Sequence, residues 1–189
     1  LRQLLCLIMN KRVDMERKYE FFWGLLGNLE VGRPNLGPYT RVEVYRLMQF
    51  TFRDVLERNF GTKKADEIFF EAGKLAGESF YEQYLSKAKS LNELVKILQD
   101  SFEELKMGVL RIESIKEDPL EITLAVGEDL DCSGLPELDY EVCTYDEGLI
   151  AGVLGKAYKK KFSVKEIDCW CTGDRTCRFL AKVRSADGG

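Results

Sequence analysis

Phe162-Ser-Val-Lys-Glu-Ile-Asp-Cys169-Trp-Cys171-Thr-Gly173-Asp-Arg-Thr-Cys177-Arg-Phe-Leu-Ala-Lys-Val183 is the stretch whose reading decides the fold. Both ends alternate apolar and polar residues, the two-residue period of a half-buried strand. Thr172-Gly173-Asp174 between them is turn chemistry. The spacing predicts a strand over 162–169, a turn at 172–174 and a returning strand over 175–183, with Cys177, Phe179, Ala181 and Val183 on one face. Such a hairpin brings Cys169 and Cys177 together. Three of the chain's six cysteines fall in the nine residues from Cys169 to Cys177, a density that asks for a chemical reason.

Working outward, residues 145–160 read as a helix carrying Leu149, Ile150, Val153, Leu154 and Ala157, with Thr144-Tyr-Asp-Glu147 as a capping box at its start. An acidic loop, 127–137, precedes it. Before the loop, residues 119–126 alternate with Leu120, Ile122, Leu124 and Val126 inward, and 107–115 are rich in strand formers. Lys116-Glu-Asp-Pro119 makes a hairpin turn between them. Three helices come earlier. One is opened by Thr40-Arg-Val-Glu43 and stopped by Gly61, one spans about 63–88, and one is opened by Ser90-Leu-Asn-Glu93. Residues 1–31 also read as helical. The breaker cluster Gly32 to Pro38 then divides the chain into an N-terminal helical segment and linker, 1–37, and a main domain, 38–189. Helices first, then strands interrupted by a helix, predict an α+β fold: an antiparallel sheet with helices packed on it.

Two predicted helices carry glycines at i and i+4: Gly73 with Gly77, and Gly148 with Gly152. A mid-helix glycine costs about 1 kcal/mol relative to alanine. Either another backbone packs tightly there, or the glycines border a cavity.

With 189 residues the chain has room for one good-sized core. A net charge of -4 argues against a general nucleic-acid backbone binder. The lysines at 156, 159, 160, 161 and 165 fit a solvated helix end. No apolar run approaches the ~20 residues of a membrane span. The apolar opening, LRQLLCLIM, lacks the flanks of a signal peptide. The expected location is therefore the cytoplasm, where clustered cysteines are more often metal-bound or reactive than disulfide-bonded. There is no histidine, which removes Ser-His-Asp and Cys-His catalysis and every His-containing metal site.

Cys143 sits just before a predicted helix, whose N-terminal dipole favours a thiolate. With Cys169 and Cys177 it makes three converging sulfurs. Zinc is the leading chemistry for such a set, and it needs a fourth ligand. Cys171 and Glu166 are the local candidates. Glu166 and Cys169 point opposite ways on an ideal strand, so a bulge must lie between them if both are ligands. An iron–sulfur cluster on Cys143, Cys169, Cys171 and Cys177, a redox disulfide within Cys169–Cys171, and inert buried thiols stay open as alternatives. Cys6 and Cys132 show no partner pattern and read as structural, with Cys132 a candidate exposed thiol in its loop.

The residues from Cys143 to Val183 carry a resemblance. A Cys, a glycine-bearing helix with Gly148 and Gly152, Glu166-Ile-Asp-Cys169, Gly173 and Cys177-Arg-Phe179 together resemble the C-terminal motif of the 4-vinyl reductase domain family. Residues from Val44 through Gly77 are similar to the helical part of that family. The likeness covers about 40–183 and is specific in the last forty residues. It implies an α+β sensor-like fold, related to trafficking-complex subunits and to the ligand-sensing domains of aromatic-responsive transcription activators. It also implies a structural zinc held by Cys143, Glu166, Cys169 and Cys177. Cys171 departs from the motif. Phenol-sensing relatives use a pocket histidine that this chain lacks, so a different recognition chemistry is implied here.

The expectation is a cytoplasmic small-molecule-binding or sensory module with a structural zinc, acting as a homodimer on a small hydrophobic or aromatic ligand. It includes no membrane span, no direct nucleic-acid binding and no assigned catalytic residue. Phe69, Leu75, Phe80, Leu124, Leu149 and Val153 are the candidate pocket residues. Two other classes remain: a reductase or accessory subunit with an iron–sulfur cluster or reactive thiol, and a scaffold subunit docking through Phe21, Phe22 and Trp23. Catalysis has no support from a G-x-G-x-x-G nucleotide loop, which is missing.

Overall fold

The computed structural model describes residues 18–184. The chain separates into two compact units, divided between Gly37 and Pro38. In the first, the described residues form a 3-10 turn, Trp23–Leu26, and a single helical turn, Leu29–Gly32, whose cap is Asn28. The long helix expected up to residue 31 is not formed over 18–31; Gly24, Gly27 and Gly32 interrupt it, and Gly27 has a positive φ of 79°. Residues 1–17, and Cys6 with them, lie outside the described residues.

The second unit opens with α1 (Val42–Phe60) and α2 (Thr62–Phe80), separated at Gly61, whose φ of 78° turns the chain sharply. A π-helical turn, Tyr81–Leu85, continues α2. Helix α3 (Leu91–Glu104) starts at Ser90, whose Oγ accepts from the Glu93 amide at 3.2 Å. Then come β1 (Val109–Glu117), β2 (Leu120–Gly127), α4 (Thr144–Tyr158), β3 (Phe162–Asp168) and β4 (Cys177–Val183). The four strands form one antiparallel sheet in the order β1-β2-β4-β3. The fold is α+β, as the order of elements predicts.

Strand alternation decides the layers. Ile122, Leu124 and Val126 of β2 and Cys177, Phe179 and Ala181 of β4 are buried. The intervening Arg178 reaches Glu113 and Asp168 in ion pairs on the other face. Helices α3 and α4 cover the apolar face. Helix α4 has an unbroken buried run from Glu147 to Leu154, so it is enclosed from all sides rather than along one stripe. The sheet covers one side and α2 the other.

The four glycines explain how α2 comes so close. A Cβ on Gly73 would lie 2.0 Å from the Tyr145 carbonyl oxygen, and one on Gly77 2.0 Å from that of Leu149. From the other side, a Cβ on Gly148 would lie 2.1 Å from the Phe70 oxygen and one on Gly152 2.3 Å from that of Lys74. Of the two readings of these glycines, the structure has tight backbone-to-backbone packing; they face carbonyls and not a cavity.

Two capping boxes are corrected. Helix α1 has Arg41 at its cap with no side-chain bond, because Glu43 pairs with Arg41 instead of reaching back to Thr40. Helix α4 is capped by Cys143, and Glu147 turns inward to accept the Glu166 amide at 2.8 Å. In both cases a partner outside the box outcompetes the local bond.

Candidate metal centre and apolar slot

Four elements converge at one end of the sheet. Helix α4 contributes Cys143 at its cap, the segment after β3 contributes Cys169, β4 begins with Cys177, and the loop after β2 contributes Cys132. All four thiols are buried, and their Sγ atoms lie within 4.8 Å of one another. Cys143 and Cys177 are 3.8 Å apart, Cys132 and Cys177 3.0 Å, and none is in a disulfide. A tetrahedral zinc with Zn–S bonds of ~2.3 Å separates its sulfurs by ~3.8 Å, so the donor set fits such an ion.

Local chemistry builds each position. After β3 a 3-10 turn, Trp170–Thr172, folds the chain back, and the Cys169 carbonyl accepts from the amides of Thr172 and Asp174, both at 3.1 Å. Gly173 takes the left-handed conformation, φ 97°, that closes this knuckle. The pairing of β3 with β4 shifts register between Glu166 and Asp168. That irregularity turns both Glu166 and Cys169 inward, the break that strand geometry requires for the two to converge.

Cys132 is the residue that sequence reasoning missed. It is not an exposed loop thiol; it is fully buried. Asp129 Oδ1 accepts from the amides of Asp131 at 2.8 Å and Cys132 at 3.2 Å, winding the loop inward. Helix α1 grips the same loop. Arg46 donates to the carbonyls of Leu130 at 2.8 Å and Ser133 at 2.9 Å, and Tyr45 and Gln49 each donate to Asp131 at 2.7 Å. The only sequence signal was the Asp-x-Asp-Cys spacing, an Asx-turn pattern beside a cysteine.

The remaining predicted residues fall as follows. Glu166 is 2 % exposed; its Oε2 accepts from the Cys143 amide at 3.2 Å, and its Oε1 is buried without a partner. No Glu166 oxygen joins the four-sulfur set. Cys171 is buried but stands outside the set too, its carbonyl accepting from the Leu138 amide at 2.8 Å. The four-cysteine grouping that includes Cys171 is therefore not assembled.

Electrostatics mark the cluster as strained without a cation. Hydrogen bonds from Cys132, Cys143 and Cys177 pull the Cys169 thiol far below its ordinary value, while those to Cys132, Cys169 and Cys177 hold the Cys143 proton on. Burial, with the charge of Cys169 beside it, pushes Glu166 up to about 8. Burial, then Asp131, pushes Asp129 up to about 7, and burial drives Asp146 well above the usual carboxylate range. A dry pocket crowded with acids stabilises one negative charge poorly and several only with a cation.

The candidate ligand-pocket residues do not share one site. Leu124, Leu149 and Val153 line a wholly apolar slot between α3, the sheet and α4, with a volume of about 30 Å³, the space of one water molecule. Phe69 lines a separate, open groove of about 430 Å³ between α1 and α2, together with Phe52 and Tyr145. Leu75 is exposed, and Phe80 is buried in contact with Tyr84 and Phe102.

An α+β domain with helices on one face of an antiparallel sheet and a buried thiol cluster at the sheet's end belongs to a known class. Residues 122–183, which hold β2, α4, β3 and β4 and all four clustered cysteines, match the model of the 4-vinyl reductase domain family, and this stretch of the chain is a domain of that family. The uncharacterized protein MJ0150 of Methanocaldococcus jannaschii is 28% identical over 118 residues, 62% of this chain and 65% of that protein. The chain thus matches less than two thirds of that relative's length. Two solved structures share the fold. The phenol-responsive sensory domain of the transcription activator PoxR, with phenol, superposes with a TM-score of 0.58 at 13% identity, covering 76% of this chain and 75% of that one. A vinyl-4-reductase family protein from Methanocaldococcus jannaschii gives 0.54 at 17% identity, covering 90% and 99%. No helix among the described residues is long and apolar enough to cross a membrane.

Proposed function

We propose that this chain is a cytoplasmic, homodimeric small-molecule sensor. Its ligand enters between α3, the sheet and α4, and a structural zinc ties together the end of the sheet. The observation that carries the reading is the slot itself: a wholly apolar cleft between layers, walled by Leu124, Leu149 and Val153, inside a fold shared with a phenol-responsive sensory domain. Small apolar or aromatic molecules suit a lining without polar groups. Tyr158, at the rim of the slot, offers the nearest hydroxyl. The slot as it stands holds one water's volume, so a ligand of phenol's size must part α3 from α4. Occupancy then moves α3, and that displacement is the signal.

The zinc reading rests on the donor set. Cys143, Cys169 and Cys177 come from three different elements, and an ion binding them joins the start of α4 to both strands of the terminal hairpin. Bound there, the ion supplies folding free energy and charge neutralisation rather than chemistry on a substrate.

Val153 is 2 % exposed at the slot wall. Val153→Leu adds one methylene, enough to fill the slot at a cost of about 1–3 kcal/mol. Thermal melts with phenol, indole and a medium-chain fatty acid test the reading. A binding ligand at ~100-fold its Kd raises Tm by roughly 5–10 °C in the unaltered chain, and Val153→Leu removes that shift while staying folded. An equal shift in the variant places the ligand elsewhere, and no shift with any probe rejects the sensor reading for these ligand classes.

A further inference from the structure

We propose that the fourth ligand of the metal centre is Cys132, making a four-thiolate site of Cys132, Cys143, Cys169 and Cys177 with Glu166 held outside it. The inference rests on the metal-binding reading above and names its ligand set. Three observations carry it. The sulfur of Cys132 is the one further donor already in place, buried and within 4.8 Å of the other three sulfurs, whereas no Glu166 oxygen is. The loop bearing Cys132 is built for the position: Asp129 winds it, Arg46 caps its carbonyls, and Tyr45 and Gln49 anchor Asp131 beside the cysteine. The same loop is stitched to the cysteine knuckle, with Trp170 Nε1 donating to the Leu135 carbonyl at 2.9 Å and the Leu138 amide donating to that of Cys171 at 2.8 Å. Glu166 has a different task, since its Oε2 holds the Cys143 amide at 3.2 Å and so orients the cap of α4 from behind the thiol.

The consequence is chemical. Four soft sulfurs in a tetrahedron select zinc or a single iron and reject magnesium, calcium and manganese, which take oxygen. Binding releases the proton of each thiol still protonated, leaving a divalent ion with four thiolates and a net charge of two minus. A centre of this kind fixes the loop of Cys132, and through Tyr45, Arg46 and Gln49 it also fixes α1. With Glu166 as ligand the metal would hold only α4 and the terminal hairpin.

Cobalt(II) replaces zinc and reports its ligands by sulfur-to-metal charge-transfer absorption, whose intensity follows the number of thiolates. The full chain, loaded with cobalt anaerobically, is compared with Cys132→Ser and Glu166→Gln. Charge-transfer intensity falling by about a quarter in Cys132→Ser, with the Glu166→Gln spectrum unchanged, supports the four-thiolate site. A Glu166→Gln spectrum that changes while Cys132→Ser matches the unaltered chain overturns it and leaves the metal centre standing. No cobalt or zinc uptake by the unaltered chain overturns the metal reading as well. Should Cys132→Ser fail to fold, X-ray absorption of the unaltered zinc-loaded chain decides the matter: four sulfur scatterers support the proposal, and three sulfurs with one oxygen reject it.

Discussion

Cys177→Ser is expected to release the metal and lower the stability of the domain by on the order of 5 kcal/mol, enough to unfold it near physiological temperature. Cys177 lies at the centre of the cluster, 3.0 Å from Cys132 and 3.8 Å from Cys143, and it opens β4, the strand paired on both sides. Metal binding to a structural site is folding free energy, since the unfolded chain presents no preformed site. Loss of one of its thiolates therefore removes stabilisation and leaves the remaining buried thiols repelling one another. Cys171→Ser is the matched control. It too alters a buried cysteine, in the same knuckle, but outside the four-sulfur set, and it should retain the metal at a cost of about 1–3 kcal/mol for a buried hydroxyl. Chemical denaturation with metal analysis of the folded fraction checks both. Equal loss of metal from the two variants would show that the cluster is misassigned.

Gly77→Ala is expected to destabilise by more than about 3 kcal/mol, although helix propensity alone favours alanine by about 1 kcal/mol. The new methyl would sit 2.0 Å from the Leu149 carbonyl oxygen, and that neighbour is backbone of a helix itself fixed against the sheet. Nothing flexible is available to give way, so α2 and α4 must separate and every interdigitated contact between them loosens. Gly155→Ala on helix α4 is the comparison with the opposite sign. Its Cβ meets only the Lys160 carbonyl oxygen, at an ordinary 3.5 Å, so the change is expected to stabilise by a few tenths to about 1 kcal/mol. Urea melts of the two variants measure the difference. A neutral Gly77→Ala would mean that α2 does not approach α4 so closely.

The period-two alternation in β2 and β4 was strong enough to assign strands, face and pairing without further help, because one side of each strand is buried and a slip of one residue would expose it. Ser90 shows a start signal that works as written, since its Oγ and the Glu93 amide have no stronger partners. Thr144 shows the same signal failing: Glu147 found the Glu166 amide and Lys165 on a strand that is adjacent only after folding. The glycine pairs were visible, yet spacing alone does not say whether a backbone or a void lies opposite. Cys132 was illegible for a related reason. It sits in a loop without periodicity, and its partner Cys177 is 45 residues away, so only the tertiary fold brings the two thiols together. The need for a break between Glu166 and Cys169 could be read from strand geometry, and the register shift before Asp168 supplies it.

The central claim is that the sheet's end is closed by a metal held on buried thiols in a domain built to take an apolar ligand. Native mass spectrometry of the full chain, purified anaerobically and without chelator, tests it most directly. The account predicts one zinc ion on each folded chain, lost together with the folded charge-state distribution when a strong chelator is added. A folded chain that carries no metal, with its buried thiols free to alkylation only after unfolding, would contradict it.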